Sequence, residues 1–136
     1  MSWQDYIKTL MTAEVQDACI CGFEPASVWA SEPGMNLGKI TAAEIQALVA
    51  KDRTNFFING LTLGGVRCSV IRDNLDDDTF TMDVRTKSDG SSSTYNVAIS
   101  KTRSALVMVM GKEGVHGGCM NAKAHGMAKY LRDLGM

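Results

Sequence analysis

The hydrophobic pattern of this chain changes period. Both ends carry apolar residues at helical spacing, and the middle alternates apolar with polar residues. Trp3, Tyr6, Ile7, Leu10 and Met11 fall at i, i+3, i+4, i+7 and i+8, one face of an amphipathic helix. From Val66 onward the period is two. Val66, Cys68 and Val70 share one strand face, and Arg67, Ser69 and Ile71 the other. Phe80, Met82 and Val84 alternate with Thr81, Asp83 and Arg85, and Tyr95, Val97 and Ile99 with Thr94, Asn96 and Ala98. Ala105–Met110 is apolar throughout, the pattern of a central strand. Gly64-Gly65, between Leu61–Leu63 and Val66–Ile71, predicts a two-residue hairpin turn. Ala18–Gly22 and Ser27–Ala30 read as short strands around a turn at Glu24-Pro25. Thr41-Ala42-Ala43-Glu44 is a capping box, opening a helix from Ala42 to about Ala50. A last helix runs from about Gly118 to Leu134, with Met120, Met127, Tyr130, Leu131 and Leu134 as its stripe. Helix, strands, helix, strands, helix is an α+β order, with helices packed on an antiparallel sheet.

Length and charge narrow the function. A chain of 136 residues is expected to form a single domain, 1–136. Its 45% apolar and 21% charged residues are those of a globular protein. The longest apolar run is too short for a membrane-spanning helix. The first residues have neither the basic nor the apolar region of a secretion signal. A net charge of −1 argues against a dedicated nucleic-acid binder. Cys19, Cys21, Cys68 and Cys119 read as reduced thiols, with Cys19 and Cys21 on one face of a strand.

Catalytic signatures are missing. Gly111-Lys112-Glu113 lacks the Ser or Thr of a phosphate loop. His116 and His125 have no zinc spacing to the cysteines, so no metal and no cofactor is expected. Cys119 near His116 suggests a thiol nucleophile, but an ordinary cysteine beside a loop histidine explains the pair more simply. Asp76-Asp77-Asp78 lacks the Gly and distal Glu of a calcium loop and reads as a solvated turn. Gly114–Gly118 reads as a tight turn into the last helix, with an anion site as the alternative.

What remains is surface chemistry. If the terminal helices pack side by side, Trp3, Tyr6, Tyr130 and Leu131 line one groove with Trp29. Such aromatics serve either as core or as a proline reader. A polyproline segment offers carbonyls that indole N–H and phenol O–H groups can donate to, and rings that stack on pyrrolidine. Arg67, Ser69, Ile71, Arg85, Lys87, Thr94 and Asn96 share the polar strand phase. They form either a solvated face or a dock for an acidic protein.

The chain resembles the profilin family, of the animal type, over essentially its whole length. The resemblance rests on Ser2-Trp3-Gln4-Asp5-Tyr6-Ile7, Ser27-Val28-Trp29-Ala30, Val49–Arg53 and Asn59–Gly65. Cys68–Asp73, Met82–Ser88 and Met110–Gly118 complete it. It implies a central antiparallel sheet with the N- and C-terminal helices on one face and smaller helices on the other. It also implies a non-enzymatic cytoplasmic, cytoskeletal protein. Such a protein binds monomeric actin, promotes exchange of actin's nucleotide and regulates polymerisation. It binds Pro-rich proteins such as formins, and phosphoinositide lipids.

The resemblance carries residues over by position. A polyproline site would use Trp3, Tyr6, Trp29, Tyr130, Leu131 and Met136. Animal relatives often have His at the position of Tyr130, and usually end in Tyr or Phe where this chain ends in Met136. An actin surface would use Phe57, Ile58, Arg67, Ser69, Ile71, Arg72, Arg85, Lys87, Thr94, Asn96, Val115, His116, Gly118, Asn121 and Lys123. As basic side chains, and not by positional carry-over, Arg85, Lys87, Lys129 and Arg132 are the candidates to meet anionic lipid. A Lys common in animal relatives is Ala122 here, and an acidic or polar residue is Gly126. These departures leave open an adaptor with weakened or lost actin binding that keeps Pro-rich or lipid partners.

Overall fold

The computed structural model describes residues 2–76, 79–87 and 93–136. Helix α1, Trp3–Leu10, starts at Ser2, whose hydroxyl accepts from the Asp5 N–H while Asp5 accepts from the Ser2 N–H, a reciprocal cap. Strands β1, Val15–Phe23, and β2, Ala26–Ser31, follow. Helix α2 is Ala42–Val49, opened by the expected Thr41/Glu44 box, and α3 is a short helix, Asn55–Asn59. Strands β3, Leu61–Leu63, β4, Val66–Asn74, β5, Thr81–Thr86, β6, Asn96–Lys101, and β7, Ala105–Gly111, lead into helix α4, Gly117–Asp133.

Among the described residues the strands form one seven-stranded sheet in the order β2-β1-β7-β6-β5-β4-β3, every neighbouring pair antiparallel. The apolar run at 105–110 is interior to the sheet and wholly buried, as its pattern predicts. Two apolar layers flank the sheet. On one side Tyr6, Ile7 and Leu10 of α1 and Met120, Ala124, Ala128 and Leu131 of α4 close over Ile20, Ala98, Val107 and Val109. On the other, Ile45 and Leu48 of α2, Phe56 of α3 and Leu37 of a 3-10 turn cover Cys19, Met82, Val97 and Met108. Terminal helices therefore share one face and the smaller helices the other.

Glu44 ties two predicted features together. Besides capping α2, its carboxylate accepts from the Gly64 and Gly65 N–H groups at 3.0 and 3.1 Å. Both glycines have positive φ, 59° and 83°, as the two-residue turn requires. The four cysteines are free thiols. Burial pushes the Cys68 thiol up to about 12, and a hydrogen bond to Cys21 together with burial pushes Cys19 up as well. They pack as small apolar groups.

Three expectations need correction. Phe80 does not continue the alternation of β5. It lies before the strand with φ at 51° and turns its ring outward, 5.0 Å from the Arg132 guanidinium. The buried stripe of α4 is Met120, Ala124, Ala128 and Leu131, whereas Tyr130 and Leu134 are exposed. Two alanines carry the contact because small side chains let the helix lie close on β6 and β7. Helix α3 and the turn at Leu37–Lys39 were not anticipated, being too short for a period to show. Of the acidic triplet, Asp76 pairs with Lys101 at 3.4 Å. Asp77 and Asp78 lie outside the described residues, as does most of the serine run at 91–93.

Candidate functional site

The first candidate site is built on the face of the terminal helices. Trp3 and Tyr6 sit one turn apart on α1, with ring centroids 5.4 Å apart and edge to face. Trp29, on edge strand β2, lies 4.7 Å from Trp3, and Tyr130, on α4, lies 6.1 Å from Tyr6. The four rings form an unbroken series from β2 to α4. Trp29 and Tyr130 are 36% and 49% exposed, so the series ends in two accessible rings. It is neither wholly core nor wholly solvent, and the structure brings these four predicted residues together.

Three backbone features hold the series in place. The Gln4 side-chain amide donates to the Ser31 carbonyl at 3.2 Å, tying α1 to β2. The Trp29 indole lies directly over Gly22, where an added Cβ would stand 2.6–2.7 Å from ring atoms. The C-terminus is anchored as well: the Ser104 N–H and the Thr102 and Ser104 hydroxyls all donate to a main-chain carboxylate oxygen of Met136, at 2.9–3.2 Å. The Met136 side chain is half-buried against the layer under the terminal helices. Leu131 requires correction: it is fully buried in that layer and supports Tyr130 from behind without lining the groove. Gly22 was missed. A glycine inside an otherwise apolar strand was the available signal, since it marks a close approach.

A cleft of about 410 Å³ continues from Tyr6 and Tyr130 between α1 and α4. Leu10, Ala122, Gly126 and Met127 line it, with Thr9 and Lys123 at its margin. Ala122 and Gly126, read from sequence as departures on an actin surface, thus stand on the wall of a cleft joined to the aromatic groove.

The second candidate site crosses the strands. Ser69 pairs with Arg85, and Arg85 with Asn96, across β4, β5 and β6. The Arg85 guanidinium donates to the Thr94 hydroxyl at 2.9 Å and to the Asn96 side-chain oxygen at 3.0 Å. Asn96 in turn donates to the Val115 carbonyl at 3.0 Å, at the start of α4. Asn121 of α4 donates to both oxygens of Asp83, the register partner of Arg72. The band from Arg72 through Arg85 and Asn96 to Val115, Gly118 and Asn121 is therefore one connected surface. Arg67 and Lys87 adjoin it, the Lys87 N–H donating to the Arg67 carbonyl. A bulge between Val70 and Arg72 leaves Ile71 59% exposed. Phe57 and Ile58, on α3 beside β4, are also exposed apolar side chains, reached from the other side of the sheet. Lys123 lies apart from the band, 3.9 Å from Glu14.

The glycine-rich loop is a turn. His116 caps α4 through Nδ1, which accepts from the Gly118 N–H at 3.0 Å. That nitrogen is not aimed at the Cys119 sulfur, and Cys119 packs against the core. The four proposed lipid contacts are not brought together. Arg85 and Lys87 lie on the band, whereas the Arg132 guanidinium donates to the Lys101 carbonyl at 2.6 Å and Lys129 pairs with Asp133 at 3.0 Å.

The model of the family described as Profilin matches residues 1–136. Profilin-1 of Mus musculus is 54% identical over 133 residues, covering 96% of this chain and 95% of that one. Profilin-2 of Rattus norvegicus is 55% identical over 136 residues, covering 98% and 97%. A solved structure of mouse profilin IIa, in complex with a double repeat from the FH1 domain of mDia1, superposes with a TM-score of 0.97 at 52% identity, covering all of both chains.

Proposed function

The chain belongs to the profilin family, and from that premise we propose that it binds monomeric actin through the Arg85 band and Pro-rich segments through the aromatic groove. It is a non-enzymatic regulator of actin polymerisation. The observation that carries the reading is the ring series Trp29, Trp3, Tyr6, Tyr130, with its two accessible ends. Indole N–H and phenol O–H groups donate to ligand carbonyls while the rings stack on proline.

Helix α4 separates the two surfaces. The band reaches Asn121 in its second turn and Tyr130 lies in its last, about 14 Å apart at ~1.5 Å per residue. One molecule can hold both ligands at once and deliver actin to a proline-bearing partner. Promotion of actin nucleotide exchange then requires that the band fit the open-cleft state of actin better than the closed state, since only differential affinity shifts that equilibrium. Arg85 and Lys87 also suit anionic phosphoinositide headgroups, which would compete with actin. No helix among the described residues is long and apolar enough to cross a membrane. We place the protein in the cytoplasm and the cytoskeleton. Ala122 and Gly126, the departures that favour a reading without actin, line the cleft shared with Tyr6, Tyr130 and Lys123.

A polyproline titration followed by intrinsic fluorescence tests this. Both tryptophans stand in the groove, so a saturable change is expected. No change up to millimolar proline would overturn the proline-reading assignment, and failure to slow pyrene-actin assembly would overturn the actin assignment.

A further inference from the structure

Buried Asp17 uses only half of its carboxylate. It stands in β1 with none of its surface exposed. One oxygen accepts from the Asn36 N–H at 3.1 Å and the Leu37 N–H at 2.9 Å, and the other has no partner among the described residues. Asparagine would serve those two N–H groups through its single oxygen and would bury no charge. An unmet carboxylate oxygen in the interior costs stability, so holding the two N–H groups does not account for the charge.

Asp17 belongs to the wall of a cavity of about 230 Å³, at the end of the sheet where β1 and β4 begin and β5 and β7 finish. Met35, Val66, Tyr95 and Met110 give that wall its apolar part. Met110 and Tyr95 also pack in the layer under the smaller helices, on the face of the sheet opposite the aromatic groove. Other polar groups of the lining are engaged. The Gln16 amide donates to the Gly111 carbonyl at 2.7 Å, the Ser93 hydroxyl donates to Glu113 at 2.7 Å, and the Thr86 hydroxyl accepts from the Tyr95 N–H at 2.8 Å. Lys87, the one cation in this lining, makes no ion pair with Asp17.

The chemistry of the wall selects the ligand. A guanidinium grips a carboxylate through both oxygens, and here one is already taken. A divalent cation needs several oxygen ligands, and no three His, Cys, Asp or Glu side chains gather into a metal site among the described residues. An ammonium is a compact charge that one oxygen can meet. Its aliphatic stem suits two thioethers, a valine and an aromatic ring.

We propose that this cavity is a binding site for a primary ammonium on an unbranched aliphatic stem, with the unpartnered oxygen of Asp17 as its acceptor. n-Butylammonium is titrated into the intact protein, with potassium chloride holding the ionic strength constant, and binding is followed by amide chemical shifts. Saturable shifts at Asn36, Leu37 and Met110 are expected, with a Kd in the millimolar range for so small a ligand. Butan-1-ol has the same stem without the charge and should bind at least about tenfold more weakly. Asp17→Asn keeps an oxygen for the two N–H groups, so the fold persists, and affinity for butylammonium falls about tenfold or more. Lys87→Ala removes a like charge from the wall and tightens binding a few-fold. A blocked lysine peptide carries the same head and stem. Its binding at the same amides assigns the cavity to a lysine of a protein partner, and binding of the free amine alone assigns it to small amines. No saturable shift, equal affinity for butan-1-ol, or unchanged affinity in Asp17→Asn would overturn the proposal.

Discussion

The contact between Gly22 and Trp29 allows the groove to be perturbed from beneath. In Gly22→Ala the new Cβ would lie 2.6 Å from Cζ2 of the indole and 2.7 Å from Cε2 and Nε1. Carbon atoms settle at ~3.5–4.0 Å, so the ring must retreat by about 1 Å. Gly22 is buried in β1, paired with both β2 and β7, whereas Trp29 is a partly exposed side chain on an edge strand. The indole therefore yields and the backbone does not. Its retreat disturbs the 4.7 Å contact with Trp3. An aromatic pair contributes ~0.5–1.5 kcal/mol beyond burial, so polyproline affinity should fall about two- to tenfold. Global stability should change little, because replacing glycine removes ~0.4–1 kcal/mol of unfolded-chain entropy that offsets the strain. Fluorescence titration measures the first quantity and urea unfolding the second. Unchanged affinity in a folded variant would refute the claim that Gly22 seats Trp29 for its ligand.

Further expectations follow from other contacts. Arg85→Glu reverses the charge at the centre of the band and strands Thr94 and Asn96. Actin affinity should fall more than tenfold, within the ~2–5 kcal/mol typical of a lost interface charge, and a polymerisation assay reads this out. Asp17 is buried, with one carboxylate oxygen accepting from the Asn36 and Leu37 N–H groups and the other unpartnered. Burial raises its pKa, so the native state holds its proton more tightly than the unfolded chain and stability falls as pH rises from about 4 through the native pKa. Asp17→Asn should remove that slope and raise stability at pH 7 relative to pH 4 in urea titrations; an unaltered slope would assign it to another group. Met136→Tyr would set a ring beside the groove on an anchored C-terminus, and calorimetry should show a few-fold tighter polyproline binding.

The long elements were legible because each repeats its period several times. The β5–β6 alternation, the α1 face and the continuous strand 105–110 all follow from hydrophobic spacing. The stripe of α4 was misread because alanine counts for little on a hydrophobicity scale, although Ala124 and Ala128 make its closest approach to the sheet. The ring series was legible as a set of residues, but its order is tertiary. Nothing near Trp29 in the sequence announces Trp3, which reaches it only because α1 lies across β2. Ala122 and Gly126 were noticed as departures from the family pattern, yet their meaning depends on which side of α4 faces α1. A one-residue rotation of the helix would have put them elsewhere. Leu131 entered the groove set by position in the family pattern, and its complete burial beside an exposed Tyr130 is a matter of helix orientation that the pattern does not contain.

The two surfaces also predict how the ligands influence one another. Along α4 their nearest residues, Asn121 and Tyr130, lie about 14 Å apart at ~1.5 Å per residue. The helix between them rests on the sheet through Met120, Ala124, Ala128 and Leu131, all fully buried. Close packing of this kind leaves no second arrangement for the helix to adopt, and transmission between sites requires one. Groups farther apart than ~7–10 Å without shared partners behave additively within ~0.3–0.5 kcal/mol. The affinity for a short polyproline peptide should therefore be the same, within about twofold, in the free protein and in its saturated complex with actin. Calorimetry on the two species measures this. A difference above fivefold would mean either that actin reaches the cleft at Lys123 or that α4 moves on binding. Lys123→Ala would separate these, abolishing the difference in the first case and preserving it in the second.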